Sequence, residues 1–140
     1  MSVEAVLDSN ILLYAASKDP RDAGKAKVAL GLLATVNFGV PLQVAQEFFH
    51  NARVKARLAI DPDHCDRMID ALLQRPLVMT DTDLFEAARQ LCRRDRIAYW
   101  DAAVLAACER LGAGVLYSED LSHGQEYGGV RVVNPFRADD

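Results

Sequence analysis

What this chain has little of narrows its class before any motif is read. Three cysteines, Cys65, Cys92 and Cys108, stand far apart in 140 residues. An odd number at such spacing supports neither a disulfide framework nor a paired CxxC zinc site. A reducing compartment, the cytoplasm, is the expectation. No apolar run reaches the roughly 18 residues that a membrane span needs, and no basic, apolar leader precedes VEAVLD. The chain therefore reads as neither inserted nor exported. Basic excess is missing as well. Lys and Arg number 16 against 20 Asp and Glu, a formal charge of −4, which argues against the broad phosphate grip of strongly basic nucleic-acid binders. Internal repeats, low-complexity tracts and interdomain linkers are also lacking.

What is there is an ordinary globular composition, 51% apolar and 26% charged, long enough for one domain to bury roughly 68–70% of the surface its unfolded chain exposes. The reading is a single domain over 1–136 with a short tail at 137–140. A strand at about 3–8 leads into helical SNILLYAAS, and a break at KDPRD starts a second helix to about 34. GVPL at about 39–42 reads as a strand, followed by a long helix at about 43–58 and, after the DPD break at 61–63, another to about 73. Strand PLVMT comes next, with Thr80 or Asp81 capping a helix to about 95. A helix at about 100–111 ends at GAG, where Gly112 or Gly114 supplies the left-handed cap. Strand VLYS, a glycine-rich turn and strand RVVNP close the chain. Alternating strands and helices call for the α/β class, with a central, mainly parallel sheet of about 4–5 strands flanked by helices.

Four acidic residues, Asp8, Glu47, Asp101 and Asp120, interrupt or end otherwise apolar elements. A carboxylate buried without a partner must neutralise, pair or bind a cation. Asp8 ends the first strand, where open α/β sheets place their ligands, though an N-cap role would also put an aspartate there. Glu47 falls in a helical stripe with Val44, Asn51, Val54 and Leu58 and is expected to face the sheet edge. Asp101 stands in a first helical turn, a position the helix dipole favours for any anion. Asp120 follows VLYSE, where a turn residue is equally at home. Each has a plain structural explanation alone; together they read as one carboxylate cluster suited to a hard divalent cation.

The stretches VLDSNILLYA, VAQEFFHNA, YWDAAVLAAC and LYSEDLSHG, in that order over nearly the whole chain, resemble the signature of PIN-domain nucleases, especially VapC-type toxin ribonucleases. By that resemblance Asp8, Glu47, Asp101 and Asp120 are the catalytic, metal-binding acids. Asn10, Ser9 and Ser118 are supporting residues, and Glu119 is a weaker candidate for the last acid. Simple capping of the first helix would account for Ser9 and Asn10 as well. The resemblance implies a PIN-like fold and Mg²⁺ or Mn²⁺ as cofactor, with metal-activated water cutting RNA phosphodiester bonds. It also implies a homodimer, and a VapB-type antitoxin partner of a type II toxin–antitoxin pair whose tail covers the acidic groove. Apolar Leu32, Leu33 and Phe49 would serve such docking only if exposed together.

Substrate grip must come from other residues. Lys18, Arg21, Lys25, Lys27, Arg53, Lys55 and Arg57 are candidate phosphate contacts or solvated helix faces. Tyr14, Phe48, Phe49, Tyr99 and Trp100 are candidates for stacking a base or for packing a core. Asn10 stands where a haloacid dehalogenase-like phosphatase would carry a second aspartate, and no second ExxH unit accompanies Glu47 and His50 as a di-iron bundle requires. His50, His64 and His123 read as ordinary surface or core histidines. The alternative from another class is a catalytically silent PIN-like module that binds RNA or protein, against which the four intact acids argue.

Overall fold

The structure, a computed structural model, describes residues 2–137. Strand β1 (Ala5–Leu7) leads to helices α1 (Ser9–Ala16) and α2 (Ala23–Thr35), then β2 (Phe38–Pro41), α3 (Leu42–Val54) and α4 (Pro62–Leu72). β3 (Leu77–Val78), α5 (Thr82–Asp95), α6 (Tyr99–Leu111), β4 (Val115–Tyr117), β5 (Glu126–Tyr127) and β6 (Val130–Val133) complete the chain. The strands form one sheet in the order β3-β2-β1-β4-β6-β5. Every pairing is parallel except β5 with β6. The sheet therefore has six strands and not four or five. The additional strand is two residues long, too short to show any period, and it folds back on β6 through Gly128 and Gly129. Their φ values of 54° and 88° provide the two left-handed positions that a tight hairpin needs. Most of the expected tail, 138–140, lies outside the described residues.

The core lies on both faces of β1, β2 and β4, as continuous apolar runs in a parallel sheet require. Phe38, Phe48, Ile11, Leu12, Leu105 and Leu116 are fully buried there. α6 is buried from Ala102 through Cys108, a helix apolar all round because the sheet and α5 enclose it. Two details of α3 differ from expectation. Its buried face is Val44, Ala45, Phe48 and Ala52, so Glu47 lies at the margin of that face and Val54 is exposed. The helix also stops at Val54, and Ala56–Leu58 tighten into a 3-10 turn. That turn swings Leu58 into the core, and the Lys18 N–H closes onto its carbonyl at 2.8 Å.

α6 ends at Gly112, not Gly114, with φ 74° and its N–H turned back on the Cys108 and Glu109 carbonyls. A Cβ there would lie 2.9 Å from the Ser2 Cβ. Gly112→Ala is expected to cost about 1–2 kcal/mol through the left-handed backbone and that contact. The check is the denaturant midpoint at constant m-value; an unshifted midpoint would show that the cap relaxes at no cost.

Candidate carboxylate site

The strand order reverses direction of growth at β1. The chain builds outward through β2 and β3 on one side, then returns through β4 and β6 on the other. The crevice at the carboxyl ends of β1 and β4 is thus a topological switch point. Asp8 follows β1 directly, and Ser118 to Asp120 follow β4.

Asp8 caps α1. Its Oδ1 accepts the Ser9 N–H at 2.8 Å and its Oδ2 accepts the Ser118 hydroxyl at 2.8 Å. It is only 7% exposed, and Ser118 is fully buried. Ser118 is a hub, because its Oγ also receives the Asp120 N–H at 3.2 Å and the Asn10 side-chain amide at 3.3 Å. Asn10 reaches further, donating to Asp120 Oδ2 at 3.1 Å and accepting the Glu119 N–H at 3.3 Å. One amide therefore ties the first turn of α1 to the loop after β4. Ser9 enters through its backbone N–H and lines the adjoining cleft.

The adjacent acids Glu119 and Asp120 are separated by their partners. Glu119 accepts the Tyr14 hydroxyl, and its other oxygen pairs with Lys25 Nζ at 2.7 Å. Lys25 sits over the rings of Tyr14 and Phe136. Glu119 is thereby committed to a structural clamp, while Asp120 remains exposed beside Asn10.

Glu47 approaches from α3 and Asp101 from the first turn of α6. The charges of the four acids act on one another. Burial raises the Asp8 pKa, and the Asp120 and Asp101 charges raise it further against the pull of its two hydrogen bonds. Glu47 is raised by burial, then by Asp8, Asp101 and Asp120, with a Gln43 hydrogen bond opposing. Asp101 is raised by burial and by Asp120. Among the described residues no Lys or Arg forms an ion pair with any of the four.

An all-oxygen donor set with uncompensated negative charge fits a hard divalent cation in chemistry. As the side chains stand, no three Asp, Glu, His or Cys among the described residues converge tightly enough to hold an ion directly. Both Asp8 oxygens accept from protein donors, and Asp120 Oδ2 accepts from Asn10. Mg²⁺ typically keeps several of its waters and takes only one or two carboxylates directly.

A cleft of about 270 Å³ beside the acids is lined by Asn10, Glu47, Asn51, Lys55, Arg57 and Asp120, among others. A larger one of about 400 Å³, around Phe49, Ile60 and Cys65, contains none of the four acids. The candidate phosphate contacts are unequal. Lys25 is held by Glu119, and Arg21 and Arg57 pair with Asp19, Arg57 also with Asp22. Arg53 lies over the Phe49 ring in the larger cleft. Lys55 and Arg57 are the two cations on the acidic cleft. Leu32 and Leu33 pack on the core while Phe49 is exposed, so these three offer no joint docking face. Sequence reasoning missed Gln43, whose amide donates to the Trp100 carbonyl at 3.3 Å and whose nearness opposes the rise of the Glu47 pKa. The signal was present, since Gln43 stands one helical turn before Glu47 on the same face.

No curated protein matches the chain by sequence. Among solved structures it resembles a toxin–antitoxin complex from Klebsiella pneumoniae at 19% identity and TM-score 0.67, covering 95% of this chain and 98% of that one. It also resembles a Sarcin-Ricin-loop-cleaving VapC toxin of Mycobacterium tuberculosis at 20% identity and TM-score 0.61, covering 91% and 99%. At such identities the likeness is one of fold. The PIN domain family matches residues 5–124, a span that holds all four acids and both strand ends that carry the crevice, and the chain belongs to that family.

Proposed function

We propose that this PIN domain is a metal-dependent endoribonuclease and the toxin of a type II VapBC-type toxin–antitoxin pair, working in the cytoplasm as a homodimer restrained by a VapB-type antitoxin. The observation that supports the chemistry is the group of four mutually interacting carboxylates at the switch-point crevice, which among the described residues pair with no Lys or Arg. The toxin role draws on the two structural likenesses and on the sequence signature. No helix among the described residues is long and apolar enough to cross a membrane.

Asp8, Glu47, Asp101 and Asp120 would hold Mg²⁺ or Mn²⁺. When bound, the metal neutralises phosphate charge and makes water a stronger nucleophile at neutral pH. The chain's own residues orient the parts. Ser118 and the Ser9 N–H fix the direction of Asp8, and Asn10 holds Asp120. Gln43 lies beside Glu47. Lys55, on the same cleft, would meet a neighbouring phosphate, beside an Arg57 already paired with Asp19 and Asp22.

The test is cleavage of a mixed, structured RNA by antitoxin-free protein with Mg²⁺, Mn²⁺ or chelator, with Asp101→Asn as the matched control. Cutting is expected only with metal, and about 10²-fold slower in the variant, the scale on which a single transition-state electrostatic contact operates. Cutting that survives chelation would overturn the metal assignment. RNA binding without cutting by folded wild type would favour the silent module.

A further inference from the structure

Trp100 is 65% exposed, the most exposed large apolar side chain among the described residues, and it directly precedes Asp101. Its position is nevertheless ordered. The indole meets Tyr99 edge-on at 4.9 Å, and Tyr99 meets Phe85 edge-on at 5.8 Å. The Trp100 carbonyl is held by Gln43 at 3.3 Å. Such a platform loses little freedom when something stacks on it.

Beside the indole lies a depression of about 380 Å³ lined by Gln43, Gln46, Glu47, His50, Asn51 and Trp100. Glu47 and Asn51 also line the acidic cleft, so the two hollows adjoin along α3. Among the described residues no Lys or Arg lines the depression, and its one acid is Glu47 at the shared edge. A phosphate finds no counter-charge there. A neutral planar heteroaromatic ring finds a stacking face in Trp100 and hydrogen-bonding edges in two glutamines, an asparagine and a histidine.

We infer that this depression is a nucleobase subsite, in which an unpaired base of the RNA stacks on Trp100 while the adjoining phosphate lies over the carboxylates. The inference rests on the nuclease reading for its substrate class, and it deepens that reading. It gives single-stranded RNA a grip independent of net charge, as stacking platforms do. It places the strand between Trp100 at one end and Lys55 with Arg57 at the other.

Trp100 is the only tryptophan in the chain, so its emission reports this site alone. The experiment titrates Asp8→Asn protein, which should not cut, with a single-stranded RNA oligonucleotide and with the same sequence as a duplex. Quenching by the single strand and not by the duplex is expected. In the cutting-competent protein Trp100→Ala is expected to raise KM about tenfold with kcat little changed, and Trp100→Phe to restore most of the loss. An unchanged thermal midpoint in the alanine variant confirms that the exposed side chain is not structural. Failure of the oligonucleotide to bind, or binding without quenching, overturns the subsite. Emission that responds to protein concentration or to antitoxin but not to RNA also overturns it, in favour of a protein contact. Cleavage by wild type without quenching would leave the nuclease standing and remove the subsite, whereas quenching without cleavage would do the reverse.

Discussion

Asp8→Asn is expected to reduce RNA cleavage by about 10³-fold or more while leaving the fold in place. Asp8 is the most buried of the four acids, and its charge acts on each of the others. Losing its charge removes a contact that acts on the transition state inside a partly water-excluded crevice, where such contacts are worth most. Shape is preserved. The asparagine oxygen can accept the Ser9 N–H as Asp8 does. The cost falls at Ser118, whose hydroxyl donates to Asp8 and already accepts from Asn10 and Asp120. An amide facing it brings a third donor, a mismatch of about 1–2 kcal/mol, partly offset by relief of repulsion from Asp101 and Asp120. The measurement is the single-turnover rate beside the unfolding midpoint. Near wild-type cutting by a folded variant would remove Asp8 from the chemistry.

The fold was legible wherever a period had room to repeat. Helix α5 carries a clear start, with Asp81 accepting the Leu84 N–H, and α6 a clear end at Gly112. β5 was not legible, because two residues carry no alternation; the Gly128–Gly129 pair was the one cue, and it was read as a turn alone. The face of α3 was misjudged for a related reason. Val54 and Leu58 keep the helical spacing with Glu47, but the helix ends between them and a 3-10 turn resets the phase.

At the site, the switch-point rule gave the expectation that Asp8, Asp101 and Asp120 share one sheet edge, and the helical stripe gave the expectation that Glu47 faces it. Glu119 and Asp120 differ in their tertiary partners, which the sequence does not show. Tyr14 and Lys25 come from two different helices, and nothing local to SED announces that they meet Glu119. Trp100 was likewise ambiguous among five aromatics. Phe48 is fully buried and Trp100 mostly exposed, although both stand beside a candidate acid in helical sequence.

The electrostatics of the site yield the second large effect, a stability that depends on divalent cation and on pH together. Asp8, Glu47 and Asp101 have pKa values raised above their ordinary 3.8, 4.5 and 3.8. Each carboxyl binds its proton more tightly folded than unfolded. The stability so gained is full below those ordinary values and is lost as pH rises through the raised ones. As pH rises, the metal-free protein therefore loses that stability to burial and mutual repulsion of the ionising carboxyls. A cation that binds only the folded protein offsets it, by about 2.7 kcal/mol at a hundredfold excess over Kd. For a chain near this size that is roughly 5–11 °C in Tm. Thermal unfolding with Mg²⁺ against chelator should show this gap at pH 7–8, and the gap should close towards pH 4, where protons compete for the same oxygens. Asp8→Asn should lose most of it. A Tm indifferent to Mg²⁺ and Mn²⁺ at pH 8 would mean that the four carboxylates tolerate one another without a cation, and the metal assignment would fall with it.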